Sequence, residues 1–469
     1  MQRREVLKMA GALPMTILPA VAPRAQTRRP KKVIIAGGGI GGLCCGYELM
    51  KRGHEVVVLE ASGRTGGHVR TIHDPLADGL YADVGAEHFT KPGYDLYWGY
   101  VREFNLTPLD YPRRERILRF IRGKMRTDEE LADPKVLAGF GLNQREIDYL
   151  ARHPWWDFAS LYLKPYVESF RDEYRPYDAS LDHLDQVTFT DLLKKDGASA
   201  AAIELIGSPG SALHVIWHAA ILKLRGVPLW PPHVFRIKGG NQVMPDTFAT
   251  KLGERVRLGC PVAGIERGET GVRVRYREFG RETQQDADYL VCAMSAVMLR
   301  QIPVAPGWPE PKGYAIRTVP YYSHSRVVFQ SRSAFWKKDG VSVNWEGPEA
   351  NLGELWQTAD EVDTKRAVLL GAAVASASAA DTLAAFRKYY PGKSDDIEQV
   401  LIHNWAHDPW AMACETIDYP PGDLMKLWPA LMEPVGRVHF VGAYTDNLNW
   451  GQEAATRSAN RVAEAIDQA

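Results

Sequence analysis

Between positions 31 and 60 the pattern of apolar and polar residues changes period twice. Val33, Ile34 and Ile35 make a short β-branched apolar run, the mark of a strand covered on both faces. The run ends in Gly37-Gly38-Gly39-Ile40-Gly41-Gly42. Leu43, Tyr47, Leu49 and Met50 then recur at helical spacing as far as Gly53, and a second apolar strand, Glu55 to Leu59, ends at Glu60. The order predicts a strand–turn–helix–strand unit. In it Gly37 permits the tight turn, Gly39 leaves no side chain in the way of a pyrophosphate, and Gly42 lets helix and strand pack closely. The helix start at Ile40 offers free N–H groups and a positive dipole end to phosphate. Glu60 lies 18 residues after Gly42, where a carboxylate can accept both hydroxyls of a ribose. The competing reading is a purely structural βαβ turn.

Farther along, residues 89–235 carry helical patterns and many aromatics, among them Trp98, Trp155, Trp156, Tyr162, Tyr166, Trp217 and Trp230. Most are expected in the core, since large aromatics bury well. Arg236 to Gln242 includes a second glycine pair, and Val256 to Ile265, with Pro261-Val262, reads as a strand. Residues 313–330 and 365–375 alternate or run apolar and predict sheet strands. Gly436 to Gly442 reads as a turn and a buried strand, and Gln452 to Ile466 as a helix with small residues first.

Directly after Glu60 stands Ala61-Ser62-Gly63-Arg64-Thr65-Gly66-Gly67, and then Asp83-Val84-Gly85-Ala86-Glu87. With the Gly37–Gly42 turn, these resemble the flavin-containing amine oxidase superfamily, which includes monoamine oxidase and L-amino acid oxidase. The resemblance implies FAD, with Ala61, Arg64, Gly66, Gly67, Gly85 and Ala86 around the dinucleotide. It gives Val262 a backbone contact to the adenine. It makes Gly442, Gly451, Gln452, Glu453 and Ala454 part of the strand and helix that close the flavin site. The fold it implies is α/β. An FAD-binding Rossmann-like domain of the GR2 type (31–88, 236–298 and 402–469) is interleaved with an α+β substrate domain (89–235 and 299–401).

At 469 residues the chain is long enough for those two domains. Its 57 basic and 57 acidic residues cancel, which gives no support for a nucleic-acid surface. Five cysteines show no CxxC pairing and no metal spacing, so no metal is expected. Cys44 and Cys45 are expected to pack in the first helix as small apolar residues. The N-terminus predicts export. Arg3-Arg4-Glu5-Val6-Leu7-Lys8 resembles the twin-arginine motif, with Val6 where phenylalanine is more usual. Met9 to Val21 is a short apolar stretch, and Ala20-Val21-Ala22 is a cleavage site, with Ala25 as a second option. Residues 1–30 are therefore read as a signal peptide, against the alternative of a basic tail, and the mature enzyme as periplasmic or secreted. No apolar run is long enough for a membrane span in the mature chain.

The flavin supplies the difficult chemistry, so few acid–base groups are needed. Asn404 to Gly422 resembles the monoamine oxidase segment whose cysteine bonds the flavin 8α carbon, and Cys414 falls on that cysteine. Either it links the flavin or it packs as an apolar side chain. Glu415 and Gly451 stand where monoamine oxidases carry two tyrosines, with Trp450 beside the latter as one aromatic wall. Glu415 either attracts a cationic amine or is an ordinary surface carboxylate. His88 stands where L-amino acid oxidases place the arginine for the substrate carboxylate, and a histidine is a poorer permanent cation. The expectation is therefore an amine without an obligatory α-carboxylate. Arg326 takes the position of the family's lysine near flavin N5, or is an exposed strand arginine. Since arginine is a planar fork and not a point charge, an acceptor other than O2 becomes an option. The reading is an exported FAD-dependent amine oxidoreductase, with a homodimer left open. The alternatives are a desaturase or isomerase of the same fold, and a non-catalytic flavin-binding module.

Overall fold

Lys32–Ala36 forms a strand, β1, whose Val33, Ile34 and Ile35 are all buried. It is the middle of a five-stranded sheet in the order Val256–Arg257, β2 (Glu55–Leu59), β1, Tyr289–Cys292, Val438–Phe440, with every pair parallel. Parallel strands are covered on both sides, so each reads as an apolar run and not as an alternation. One face packs under α1 (Ile40–Lys51), with Leu43, Cys44 and Cys45 against Val33 and Ile35. The other face carries Ile34, Leu59 and Leu290 against Ile265 and Val274 of a four-stranded sheet. The helix Gly451–Gln468 runs along α1.

The computed structural model describes residues 29–415, 418–446, 448 and 451–469. The expected signal peptide, apart from its last two residues, and Trp450 lie outside them, as do the side chains of Cys414 and Glu415. Lys31–Ala469 forms one compact unit. No helix among the described residues is long and apolar enough to cross a membrane.

Two strand expectations change. The single strand expected from Val256 to Ile265 divides. Val256–Arg257 pairs with β2, the chain turns at Gly259 (φ +67°), and Val262–Arg267 joins the four-stranded sheet. Of the stretch 313–330, only the latter part is extended. Lys312–Thr318 is a helix, followed by the strand His324–Ser331. Glu310 begins that helix: its carboxylate accepts the N–H of Tyr314 at 2.8 Å and pairs with Arg317. Over so few residues the apolar pattern fits either period, and the local hydrogen bonds decide.

His324–Ser331 is the second strand of a seven-stranded sheet, between Ile397–Asn404 and Ala367–Val374, with Glu354–Thr358 next in order. The register places Arg326 opposite Ala372 on one side and His403 on the other. Residues 89–235 supply α2 (Asp95–Glu103) and the helix Ala212–Leu224, and a core in which Tyr162 and Trp217 are buried as expected. Trp230 is not part of that core; it lines a cavity.

Candidate active site

The cavity, about 1440 Å³, begins at the turn between β1 and α1. Gly37 has φ +116°, and a Cβ there would lie 2.9 Å from the Ala293 carbonyl oxygen, so only glycine makes this turn. Gly39 differs: its backbone is ordinary (φ −68°), and an added Cβ would meet no atom within 4 Å. It would stand in the open cavity. Gly66 donates its N–H to the Gly38 carbonyl at 2.8 Å, which brings the second glycine loop against the first. Gly67 (φ +58°) then faces Gly39, a Cβ on it lying 3.2 Å from the Gly39 Cα. Two side-chain-free loops at a helix start make a cradle that fits a pyrophosphate.

Glu60 is oriented by its neighbours. Its Oε2 accepts the Gly38 N–H at 2.6 Å, and its Oε1 accepts the Ser62 N–H and hydroxyl at 2.8 and 2.7 Å. Oε1 is thus doubly engaged, and Oε2 keeps one acceptor position for a ribose hydroxyl. Ala61, Pro261 and Val262 line the cavity beside it. Arg64 also lines it, its guanidinium donating to the Gly67 carbonyl at 2.8 Å. Ile40, Gly85 and Ala86 complete this end. Gly42 does not reach the cavity. Its Cβ would fall 2.1 Å from the Gly37 carbonyl oxygen, which makes it the packing glycine of the turn.

The far end is charged. Arg326 reaches the cavity, and its Nη1 donates to Glu354 Oε1 at 3.0 Å. The other oxygen of Glu354 takes Arg113 at 2.7 Å. Both guanidinium groups lie over Trp356, two residues along the same strand, at 3.8 Å for Arg113 and 5.5 Å for Arg326. Arg113 also donates to buried Glu87 at 2.7 Å. Burial alone would raise the Glu87 carboxyl, but Arg113 and His88 together hold it well below the usual carboxylate range. His88 Nδ1 lies 2.6 Å from the same carboxylate. Burial pulls the imidazole below its ordinary value despite Glu87, so His88 is neutral at neutral pH.

Of the residues expected from the C-terminal segment, Gly442, Gly451 and Gln452 line the cavity, and Gln452 donates to the His88 carbonyl at 3.2 Å. Glu453 and Ala454 do not. Glu453 is fully buried and accepts the N–H groups of Leu96 and Tyr97 at 3.1 and 2.9 Å, which satisfies donors at the start of α2. Burial pushes its carboxyl up to about 8. Ala454 packs in the core of the 89–235 helices. The cavity residue is Ala455, one turn on from Gly451 and Gln452, as helical spacing requires. Cys414 and Glu415 form a two-residue strand whose backbone pairs with Tyr322 and Tyr321, both on the cavity wall.

Sequence reasoning missed Arg113, Arg114, His218 and Trp230 on the wall. It also missed the support behind the glycine loop, where Gln242 donates to the Thr65 carbonyl at 2.9 Å.

The family described as "Flavin containing amine oxidoreductase" matches residues 40–467. An L-amino-acid oxidase of Bothrops pauloensis is 25% identical over 95% of this chain and 91% of its own. One of Cerastes cerastes is 27% identical over 95% and 88%. Among solved structures, cyclohexylamine oxidase from Brevibacterium oxydans IH-35A superposes with a TM-score of 0.76 at 22% identity, covering 94% of this chain and 99% of that one. Putrescine oxidase bound to putrescine gives 0.77 at 20%, covering 94% and 100%. At these identities the two structures establish a common fold.

Proposed function

The chain belongs to the flavin-containing amine oxidoreductase family, and we propose that it is an exported FAD-dependent enzyme that oxidises the carbon beside an unprotonated amine, the resulting imine then hydrolysing. The observation that carries this is the single cavity that joins the glycine cradle and Glu60 at one end to Arg326 and His88 at the other. Its volume exceeds that of an ordinary small-molecule site, in keeping with a dinucleotide and a substrate end to end. FAD, when bound, supplies an acceptor for the hydride at N5 and passes the electrons to O2 or another acceptor. The protein's part is binding and electrostatics. Gly37, Gly39, Gly66, Gly67 and Arg64 would hold the pyrophosphate, and Glu60 and Val262 the adenosine. The desolvated far end, with Arg113, Arg114 and Arg326 on its wall, disfavours an ammonium ion and keeps the substrate amine neutral. In this reading 31–88, 236–298 and 402–469 are the cofactor domain, and 89–235 and 299–401 the substrate domain.

Anaerobic bleaching of the flavin across a panel of amines, amino acids and polyenes tests the reading. Amines or amino acids are expected to bleach it. Bleaching by polyenes alone would move the protein to the desaturase alternative, and no bleaching by any class would make it a binding module.

Two finer points go with the proposal. Cys414 is the residue for a covalent link: acid precipitation is expected to leave flavin with the parent protein and to release it from Cys414→Ala. Complete release from the parent would establish noncovalent binding. Export depends on Arg3 and Arg4, so changing both to lysine, which keeps the charge, is expected to strand the enzyme in the cytoplasm. Undiminished export of the double variant would show the pair to be accidental.

A further inference from the structure

Arg114 is the one guanidinium of the far end that forms no ion pair with a carboxylate among the described residues; Glu87 and Glu346 act on it only from farther off. Arg113 pairs with Glu87 and Glu354 and Arg326 with Glu354, so both carboxylates in direct contact with the cluster are taken by the other two guanidinium groups. Arg114 donates Nη1 to the Pro231 carbonyl, and its Nη2 lies 3.3 Å from His88 Nε2. Its Nε is buried with no partner. The group lies over the Trp230 ring at 4.0 Å, and the Trp230 indole Nε1 is likewise buried and without a partner. Burial, and then the Arg113 charge, draw the guanidinium down to about 10, so it stays charged at neutral pH.

The hydrogen bonds fix the tautomer of His88. Nδ1 lies 2.6 Å from anionic Glu87 and 3.3 Å from Arg113 Nη1, and the much shorter contact to the carboxylate assigns Nδ1 the proton. Nε2 is then an acceptor and takes the N–H of Arg114. The histidine thus presents the arginine to the cavity. Each terminal nitrogen carries a second N–H beyond the one it uses here, and a planar carboxylate matches a guanidinium fork.

We propose that Arg114, presented by His88 and stacked on Trp230, anchors a carboxylate of the substrate, so that the substrate is an amine that also bears an acid group. This rests on the amine oxidoreductase reading and narrows its substrate class. It also removes the ground for expecting a substrate without a carboxylate, because the cation that position 88 lacks comes from position 114. His88 is a positioning residue here and Arg114 determines specificity.

The test uses oxidised holoenzyme and two kinds of probe. Phenylacetate is expected to perturb the flavin spectrum and phenylacetamide, its uncharged match, is not. Arg114→Met should weaken phenylacetate binding about thirtyfold or more, the scale of a lost buried charge pair. Arg114→Lys, which keeps the charge and loses the fork, should weaken it less. In stopped-flow reduction of the parent, the acid member is expected to be faster in at least one of two matched pairs, phenylalanine against phenethylamine and 4-aminobutyrate against butylamine. Arg114→Met should erase that preference through KM more than through kcat. Faster reduction by the decarboxylated member in both pairs, or a preference unchanged in both Arg114 variants, overturns the proposal. If nothing reduces the flavin while phenylacetate still binds through Arg114, the anchor stands and the oxidoreductase reading falls.

Discussion

A Gly39→Val protein is expected to fold as its parent does and to hold no flavin. The backbone at Gly39 is in an extended conformation that valine adopts readily, and no protein atom stands within 4 Å of where its Cβ would go. The isopropyl group therefore costs the fold little and fills the space between the two glycine loops. Gly42→Ala is the control. Its methyl would fall 2.1 Å from a backbone oxygen, so it should lower stability whether or not flavin is present. Absorbance of the desalted proteins reads retention, and thermal melting against deflavinated parent reads the fold, since bound ligand by itself raises the melting temperature. A Gly39→Val protein with full flavin would remove the pyrophosphate from the cradle and with it the present orientation of the cofactor.

Glu87→Ala should lower folding stability by about 3–5 kcal/mol, the usual cost of removing one partner from a buried ion pair. Glu87 is nearly inaccessible, holds Arg113 at 2.7 Å and His88 at 2.6 Å, and its removal leaves His88 without its anion and Arg113 with Glu354 alone. The loss has a pH signature. A carboxyl held lower in the folded than in the unfolded chain binds fewer protons when folded, so its contribution is complete above the ordinary carboxylate value of about 4.3. It declines as the pH falls toward the lowered value. Glu87→Gln keeps the shape without the charge. The stability gap between parent and Glu87→Gln in urea titrations should therefore be widest at neutral pH and shrink on acidification. A gap that is constant, or that grows in acid, would show that the charge of Glu87 is not what holds Arg113.

The two ends of the cavity differ in how far the sequence discloses them. The cradle is legible because its parts are backbone, and backbone freedom is written locally. Gly37, Gly39, Gly66 and Gly67 each sit where a Cβ would strain the chain or enter the cavity, and Glu60 ends a strand that the apolar pattern already marks. The far end is assembled from side chains that meet only in the folded chain. Arg113 and Arg114 stand in the run Pro112-Arg113-Arg114-Glu115-Arg116, which reads as a solvated turn. Only the arrival of Glu87, Glu354 and Trp356 from other segments makes it a cavity wall. In the sequence His88 stands only as the lack of an arginine, and the arginine it touches comes from a distant segment. Glu453 and Ala454 miss the cavity for a different reason. Resemblance gives a segment, whereas helical phase decides which of its residues face inward, and Ala455 is in phase with Gly451 and Gln452.

The helix Gly451–Gln468 bears on when the protein can acquire its cofactor. It lies along α1, brings Ala455 within 3.5 Å of a Cβ placed on Gly41, ties Gln452 to the His88 carbonyl, and seats α2 through Glu453. Those contacts join residues translated several hundred positions apart. A ribosome that has delivered the β1–α1 turn has made the first glycine loops without the wall that shuts them. The nascent chain thus carries a half-built pocket through nearly the whole of elongation. Cofactor capture belongs to the completed polypeptide, and a truncation that removes this helix should yield a colourless protein even with every N-terminal glycine in place.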